Sequence, residues 1–381
     1  GRRDLRRMQN REGGNDSMRL AVSLIALLAA LTLAIPLAAA SLARSAPPAE
    51  AQLSQAGSPA SEPEPPPDRA GLAAAETAAW PPRPSDVAPS SPSVTGKRTF
   101  SILNRTTQRI EKVDALDYVR GALASEMPPT FHAEALAAQA VAAHTWALYH
   151  AAWQREHPDP SLRGADFSFD PPRDEGYLTE KRMRERYGAT ADAWIPKINA
   201  AAAYGAAHAL TYEGAPILAC YSSSSAGKTE SSGNVWSVGL PYLVPVESEG
   251  DALAPDFEVT ASFPKAEMRR LLTAAFPKAA LADGDPANWL VPLERSEGGY
   301  ITRISVGGRE AHGQAVRTAL GLRSSCFTVV YSGGSFAITT EGYGHGVGLS
   351  QYGADFMARQ QSDCAEILAH YYPGTVLSSV T

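Results

Sequence analysis

The residue best placed to do chemistry is Glu126, because it is a solitary acid in an apolar stretch. No other Asp or Glu occurs between Asp117 and Glu134, and Met127 and two prolines follow Glu126 directly. Apolar surroundings disfavour the ionised form of a carboxyl group, and a carboxyl group that stays protonated can act as a general acid. The position also fits a solvent-exposed glutamate at the end of a helix, so the choice depends on the residues that fold around it.

A second candidate is His345, which lies in a glycine-rich run at residues 342–354. Glycine occupies every second position from 342 to 348 and leaves the imidazole uncrowded. A helix is predicted to begin at Gln351, so the loop and the helix N-terminus would form one polar wall of a pocket. Alternatively, the glycines serve tight turns and His345 is a structural hydrogen-bond donor.

A third candidate is the serine-rich loop at residues 221–229. Its small hydroxyl residues and glycine expose O–H and backbone N–H groups, which suits the binding of sugar hydroxyl and N-acetyl groups, although serine-rich segments are often simple loops. Its candidate binding residues are Tyr221, Ser222, Ser223, Gly227, Lys228 and Thr229.

Two predicted helices would position Glu126. Apolar residues recur on one side of residues 115–125, which predicts a helix that delivers the glutamate at its end. Pro128 and Pro129 then prevent the helix from continuing. The alanine-rich run at residues 132–153 is apolar nearly all round, which is typical of a helix packed inside a domain. Its polar exceptions, Gln139 and His144, are either hydrogen-bonded core residues or part of a site.

The second half of the folded region is predicted to be rich in β-structure. Glu213-Gly214 predicts a hairpin turn between strands at residues 209–212 and 216–221. Further predicted strands lie at 300–301, 304–306, 315–316, 327–331 and 335–339, and further helices at 181–187, 190–207, 266–276, 351–359 and 364–372. We therefore expect an α+β fold, in which a helical segment that carries the glutamate packs on a mixed, mostly antiparallel β-rich core.

The N-terminal residues predict an anchor and a spacer. Residues 1–19 form a basic tail, and residues 20–40 are an uncharged apolar run long enough to cross a bilayer core of about 30 Å. The arginines predict a cytoplasmic N-terminus, although the small residues at 38–41 also fit signal-peptidase cleavage. Residues 41–96 are rich in Pro, Ala and Ser and predict a disordered linker, which leaves residues 97–381 as the folded domain.

Composition and cysteine spacing exclude several classes of function. The net charge is −6 with no basic stripe in the folded part, which argues against a nucleic-acid partner. The three cysteines include no C-x-x-C pair, so a closed zinc site is not expected. They are interpreted as small core residues, although Cys326 and Cys364 could pair in an oxidising compartment. Glu366 and His370 have metal-ligand spacing, which is more often that of a surface pair.

Four separated stretches together resemble the stage II sporulation protein D family. They are residues 124–148, which begin ASEMPP, residues 216–248, residues 316–327 (VRTALGLRSSCF) and residues 342–377, which begin GYGHGVGLSQYG. The resemblance covers nearly all of residues 97–381. Amidase-enhancer proteins of the LytB type are similar to the same domain.

The resemblance implies a membrane-anchored lytic transglycosylase that acts in engulfment during sporulation. Such an enzyme cleaves peptidoglycan between N-acetylmuramic acid and N-acetylglucosamine and leaves a 1,6-anhydro end, with no cofactor. The family's catalytic glutamate falls on Glu126, and Gln139, His144, the 221–229 loop, His345 and Gln351 would line the cleft. The resemblance also implies stage II sporulation proteins P and M as partners, and a place in the mother-cell membrane facing the forespore.

One carboxyl group suffices for this reaction. Ordinary glycoside hydrolysis uses two carboxylates, whereas in the lytic reaction the sugar's own 6-hydroxyl attacks C1. One glutamate can therefore act first as acid and then as base. The sequence offers no obvious second carboxylate, although Glu134, Glu230 and Glu341 are candidates.

Two departures from the family's pattern favour an alternative function. Relatives commonly carry lysine at the position of Ala137 and arginine at that of His144. The alternative is a non-catalytic peptidoglycan-binding module that stimulates an amidase, and a third interpretation is a structural membrane tether.

Some relatives also hold a zinc ion with one histidine, which His157 could match, and two cysteines. Arg163 and Phe169 stand near those cysteine positions here, so no metal is predicted.

Overall fold

The computed structural model describes residues 99–169, 176–236, 238–281 and 285–380. The predicted basic tail, membrane helix and linker at residues 1–96 lie outside this part of the chain. Within the described ranges, no helix has the length and apolar character needed to cross a membrane.

The described residues form a mixed α+β structure. The helices are α1 (Ala115–Glu126), α2 (Ala133–Glu156), α3 (Glu180–Tyr187), α4 (Ala191–Ala206), α5 (Ser232–Trp236), α6 (Lys265–Ala275), α7 (Gly313–Leu320), α8 (Gln351–Arg359) and α9 (Cys364–Tyr371). The strands are β1 (Thr99–Asn104), β2 (Arg109–Asp114), β3 (Phe167–Phe169), β4 (His208–Tyr212), β5 (Ala215–Pro216), β6 (Tyr221–Ser222), β7 (Glu258–Pro264), β8 (Leu290–Arg295), β9 (Ile301–Val306), β10 (Arg309–Ala311), β11 (Phe327–Ser332), β12 (Ser335–Glu341), β13 (Leu349–Ser350) and β14 (Val376–Ser379).

The larger hydrophobic cluster is built around α2. Its residues come from α1, α2, α4, α8 and α9 and from the sheets β2-β1-β3 and β14-β4-β5. Alanine and glycine allow α2 and α4 to approach closely, because a Cβ added at Gly205 would lie only 2.5 Å from the Cβ of Ala140. The prediction that the alanine-rich segment is a helix inside the domain is confirmed.

A second hydrophobic cluster occupies the C-terminal half. The sheets β11-β12-β7 and β10-β9-β8 pack with α6 and α7 around Trp289 and Phe336. All strand pairs in these two sheets are antiparallel, whereas β3 and β13 pair in parallel with β1 and β6. The prediction of a mixed, mostly antiparallel β-rich core is confirmed.

Two predicted strands are wrong. Ala315 and Val316 lie within α7, which begins where the backbone N–H of Gln314 donates to the Nδ1 atom of His312 at 3.2 Å. A pair of apolar residues is too short to reveal the period, and Val316 and Leu320 are buried one helical turn apart. The strand predicted at residues 216–221 also divides, because β5 ends at Pro216 and residues 221–222 pair with β13 instead.

Candidate active site

Glu126 is the last residue of α1, as predicted, and its side chain is half-buried. The helix end is held by Arg186 of α3, which donates from Nη1 to the carbonyl oxygen of Ala124 at 3.0 Å. A cation at a helix C-terminus is stabilised by the helix dipole and by the unpaired carbonyl groups there. Met127, 2% exposed, closes the other side of the turn. The position of Glu126 is therefore fixed by packing on both sides.

Two tyrosine phenols lie within the electrostatic reach of Glu126. Burial raises the pKa of Tyr118 in α1, and the carboxylate of Glu126 adds to that rise. The pKa of Tyr221 in β6 is raised for the same two reasons, in the same order. Both phenols consequently stay protonated and can donate hydrogen bonds at neutral pH. The charge of the predicted acid therefore acts on Tyr221, a predicted site residue.

The serine-rich loop and the glycine-rich loop meet in one junction, which we call the loop junction and define as residues 221–225 and 342–350. Tyr221 pairs with Leu349 and Ser222 with Ser350 in the β6–β13 ladder. Reciprocal backbone hydrogen bonds of 3.1 and 2.9 Å then join Ser224 and Tyr343. These segments are separated by more than a hundred residues in the sequence, and the charge of Glu126 acts on Tyr221, the first residue of the junction.

The glycines of the loop junction serve close approach of the two segments. Gly344 has a φ of 128°, and a Cβ there would lie 2.5 Å from the Cβ of Ser222. At Gly348, with a φ of 75°, a Cβ would collide with the carbonyl oxygen of Cys220. Their function is thus to let two backbones touch, rather than to leave the imidazole of His345 uncrowded.

Asp251 ties the loop junction together, and nothing in the sequence pointed to it. Its carboxylate is fully buried and accepts hydrogen bonds from the Ser225 N–H at 2.7 Å, from the Ser225 hydroxyl at 2.5 Å and from the Ser350 hydroxyl. Burial raises the pKa of Asp251, and the hydrogen bonds from Ser225, Ser350 and Ser248 oppose that rise. Asp251 therefore joins a residue from each loop through one carboxylate.

His345 links the two loops as a neutral imidazole. Its Nδ1 atom accepts the backbone N–H of Val347 at 3.0 Å, and a hydrogen bond joins the ring to the backbone carbonyl group of Tyr221. Because Nδ1 accepts, the proton resides on Nε2. Burial and the nearby Arg317 cation lower the pKa of His345 to about 3. The geometry therefore agrees with the interpretation of His345 as a structural hydrogen-bond donor.

Gln139 and Gln351 meet between α2 and α8. The Nε2 atom of Gln351 donates to Oε1 of Gln139 at 3.5 Å, and both side chains are buried, at 5% and 0% exposure. The Nε2 atom of Gln139 has no hydrogen-bond partner among the described residues. The pair connects the alanine-rich helix to the residue that follows the glycine-rich loop.

His144 is buried in the core, which agrees with the first of the two interpretations that the sequence left open. It is 1% exposed, and its Nδ1 atom lies 3.0 Å from the carbonyl oxygens of Gly205 and His208. Burial lowers the pKa of this imidazole. The side chain of His144 faces α4 and β4, as expected for a hydrogen-bonded core residue.

Thr229 and Lys228 of the serine-rich loop are occupied by structural contacts. Thr229 is fully buried, and its hydroxyl oxygen accepts the N–H of Val246 at 2.8 Å. The Nζ atom of Lys228 lies 3.1 Å from a carboxylate oxygen of Glu247 and 3.5 Å from one of Glu297. Gly227 is half-buried with a φ of 93° and Ser222 is 8% exposed. Ser223 is half-buried as well, and its hydroxyl group forms no hydrogen bond with the described residues.

The three alternative carboxylates each contact neighbouring groups. Glu134 accepts the backbone N–H of Cys364 at 2.8 Å. Glu230 is 1% exposed and accepts the side-chain amide of Asn234 at 2.9 Å. Glu341 lies in β12, 4.0 Å from the Sγ atom of Cys326. None of these contacts ties a carboxylate to Glu126.

The cysteines and histidines of the described ranges form no metal-binding cluster. His157 stacks on Trp153, with ring centroids 3.9 Å apart. Cys220, Cys326 and Cys364 are buried free thiols, so the suggested Cys326–Cys364 disulfide is absent and the core interpretation agrees with the structure. Glu366 caps α9 with Asp363, and His370 contacts the Glu247 carbonyl oxygen at 2.7 Å.

Comparison with known proteins identifies the family. A family model described as SpoIID, stage II sporulation protein, matches residues 103–212. Stage II sporulation protein D of Bacillus subtilis (strain 168) is 33% identical over 282 residues, which cover 74% of this chain and 79% of that protein. The protein of the same name from Bacillus amyloliquefaciens is 33% identical over 278 residues, covering 73% and 78%. An amidase enhancer of Bacillus subtilis (strain 168) is 28% identical over 316 residues, covering 68% of this chain and 40% of that protein. The chain belongs to the stage II sporulation protein D family.

Proposed function

We propose that this protein is a peptidoglycan lytic transglycosylase in which Glu126 is the catalytic acid and base. Family membership and the similarity to an amidase enhancer support a role at the cell wall in sporulation. The observation that carries the finer proposal is that the segment after Glu126 contacts the helix after the loop junction, where the Phe131 and Tyr352 ring centroids lie 4.9 Å apart, and that the charge of Glu126 acts on Tyr221. Glu126, Tyr221 and Ser223 are half-buried, so these three side chains are the ones that a glycan could reach.

The proposed reaction uses one carboxyl group twice. Protonated Glu126 donates its proton to the glycosidic oxygen as the bond from C1 of N-acetylmuramic acid breaks. The 6-hydroxyl oxygen of the same sugar then bonds to C1, and the Glu126 carboxylate accepts the proton of that hydroxyl group. The products are a 1,6-anhydro end and a new N-acetylglucosamine 4-hydroxyl group, and Glu126 returns protonated. The structural contacts of Glu134, Glu230 and Glu341 are in accord with a single acting carboxyl group.

The neighbouring residues would bind and orient the glycan. The phenol of Tyr221 stays protonated beside Glu126, so it can donate a hydrogen bond to the carboxylate formed during the reaction. The partly exposed hydroxyl group of Ser223 is available to a sugar hydroxyl or N-acetyl group. His345 contributes through the position of Tyr221, whose carbonyl group it contacts.

Product analysis with a matched pair of variants tests the proposal. Purified protein incubated with peptidoglycan should release anhydro-muramyl fragments, detected by mass spectrometry, and Glu126→Gln should release none. Glu156→Gln is the control, because Glu156 is also the last residue of a helix but is exposed. If Glu126→Gln releases the same products at the parental rate, the assignment of the acid fails.

The second candidate function is a non-catalytic module that binds peptidoglycan and stimulates an amidase. The similarity to the Bacillus subtilis amidase enhancer favours it. It is distinguished by glycan binding without anhydro-muramyl products, together with faster release of stem peptides when a partner amidase is added.

The cellular setting is also a proposal. By family analogy, residues 20–40 would anchor the protein in the mother-cell membrane facing the forespore, where it would act in engulfment with stage II sporulation proteins P and M. A fluorescent fusion in sporulating cells should mark the engulfing membrane, and co-purification should recover the two partners. Uniform fluorescence in the cytoplasm would contradict this location.

A further inference from the structure

Arg323 presents a guanidinium group next to the loop junction that forms no ion pair with the described residues. Its Cζ atom lies 4.2 Å from the ring centroid of Tyr343, and its backbone carbonyl oxygen accepts the N–H of Gly344 at 3.0 Å. The side chain is half-buried, and its Nε atom is buried with no hydrogen-bond partner in the described part of the chain. The ion pairs of the described residues do not include Arg323.

Three surface arginines of the described ranges form ion pairs instead. Arg303 pairs with Glu294 and Glu310, Arg270 pairs with Glu267, and Arg359 pairs with Asp355. Those pairs lie on the surface, where an unpaired arginine would incur little cost because water solvates it. A half-buried guanidinium group with an unsatisfied buried N–H has lost part of that solvation and favours an anionic partner.

The contact with Tyr343 prepares Arg323 for such a partner. Stacking on an aromatic face fixes the plane of the guanidinium group and leaves its edge free. A planar fork of N–H groups matches the two oxygens of a carboxylate. The site is therefore oriented before a ligand binds.

A chain of contacts links Arg323 to the segment that follows Glu126. Tyr343 is paired with Ser224, next to Ser223, whose carbonyl oxygen accepts the N–H of Tyr352 at 3.1 Å. The Tyr352 ring packs edge-on against Phe131 at 4.9 Å, and Phe131 follows Glu126 closely in the sequence. The charge of Arg323 also reaches Tyr352, where it opposes the rise in pKa that burial causes.

We propose that Arg323 binds a carboxylate of the muramyl unit and thereby makes the groove prefer muramic acid over plain N-acetylglucosamine. This inference rests on the proposed function in placing a glycan along the loop junction. N-Acetylmuramic acid differs from N-acetylglucosamine by its lactyl ether, whose carboxylate is free when no stem peptide is attached. Stem peptides supply carboxylates of their own, so the experiment must separate the two sources.

Binding measurements in a Glu126→Gln background, which removes turnover, test the proposal. Calorimetry would compare a peptide-free N-acetylglucosamine–N-acetylmuramic acid tetrasaccharide with chitotetraose. We expect the muramyl ligand to bind about 10-fold more tightly, as a charge-assisted contact allows, and Arg323→Gln to abolish that difference. Arg303→Gln is the matched control and should preserve the preference. A tetrasaccharide with amidated lactyl groups should bind like chitotetraose. In a tetrasaccharide with stem peptides the lactyl carboxyl group is in amide linkage, so tight binding of that ligand would show that a carboxylate of the peptide contacts Arg323.

Two further measurements keep the outcome unambiguous. Arg323→Lys retains the charge without the fork and should show an intermediate preference, and the thermal unfolding temperature of each variant reports on folding. Equal weakening of both tetrasaccharides by Arg323→Gln, or no preference in the parent, would overturn the inference. Anhydro-muramyl products released without an Arg323-dependent preference would leave the proposed function intact, whereas preference without products would retain the inference and reject the enzyme.

Discussion

Two carboxyl groups lie close to the loop junction and occupy opposite surroundings. Asp251 is fully buried, and its oxygens accept hydrogen bonds from Ser225 and Ser350, which oppose the rise in its pKa that burial causes. Glu126 is half-buried at a helix end beside the phenols of Tyr118 and Tyr221. The comparison teaches that surroundings decide the use of a carboxylate, because saturation by fixed donors suits a structural role and partial access suits proton transfer.

The largest expected effect is that of Glu126→Gln on catalysis. The amide cannot donate a proton to the glycosidic oxygen, so we expect the rate of anhydro-muramyl release to fall about 10³-fold, within the range for a general acid–base group. The free energy of unfolding should change by less than about 0.5 kcal/mol, as for surface substitutions. Product kinetics and urea unfolding of the same preparation measure both quantities. A large loss of stability would remove the contrast with Asp251.

Asp251→Ala should show the opposite pattern. Removing the carboxylate leaves the Ser225 N–H and the Ser225 and Ser350 hydroxyl groups without their acceptor, which should lower the free energy of unfolding by about 3 kcal/mol. Asp251→Asn, which keeps one acceptor oxygen, should have a smaller effect. Glu249→Ala, on the same turn but exposed, is the control and should be nearly neutral. Full stability in Asp251→Ala would mean that the carboxylate does not join the loops.

Tyr221→Phe should have an intermediate effect that falls on catalysis. It removes one hydroxyl group beside Glu126 and preserves the β6 backbone, so we expect about a 10-fold loss of rate, comparable with one hydrogen bond to a charged group. Tyr331→Phe, in the second hydrophobic cluster, should leave the rate unchanged. An equal loss in both variants would point to a general effect on folding.

The smallest effect concerns acid stability. Burial lowers the pKa of His345 to about 3, with Arg317 contributing, and burial lowers the pKa of His150 to about 4, both from an ordinary value of 6.5. Between those values and pH 6.5 the unfolded chain binds more protons than the folded protein, so the free energy of unfolding should fall as the pH drops below about 6.5. Urea unfolding from pH 7 to pH 5 measures the slope. His345→Asn should reduce the slope, and an unchanged slope would contradict the neutral imidazole.

Local patterns predicted most helices and the position of Glu126. Periodic apolar residues and the two prolines placed the end of α1, and α8 has the predicted bounds of residues 351–359. These features depend on neighbouring residues, because capping, backbone restriction and helical period all operate over a few positions. The strand prediction for Ala315 and Val316 failed because two residues are too few to show whether apolar positions repeat with the period of a strand or of a helix.

Local sequence patterns could not predict the contacts between distant segments of the chain. The sequence alone determined most of the helices, the glutamate at the end of α1 and the family to which the chain belongs. Only the tertiary structure decided that Asp251 joins the two loops, that His144 faces α4 and that Arg323 lies over the ring of Tyr343. The physical reason is that burial and hydrogen-bond partners depend on which remote segments pack together, and one local sequence is compatible with several such partners.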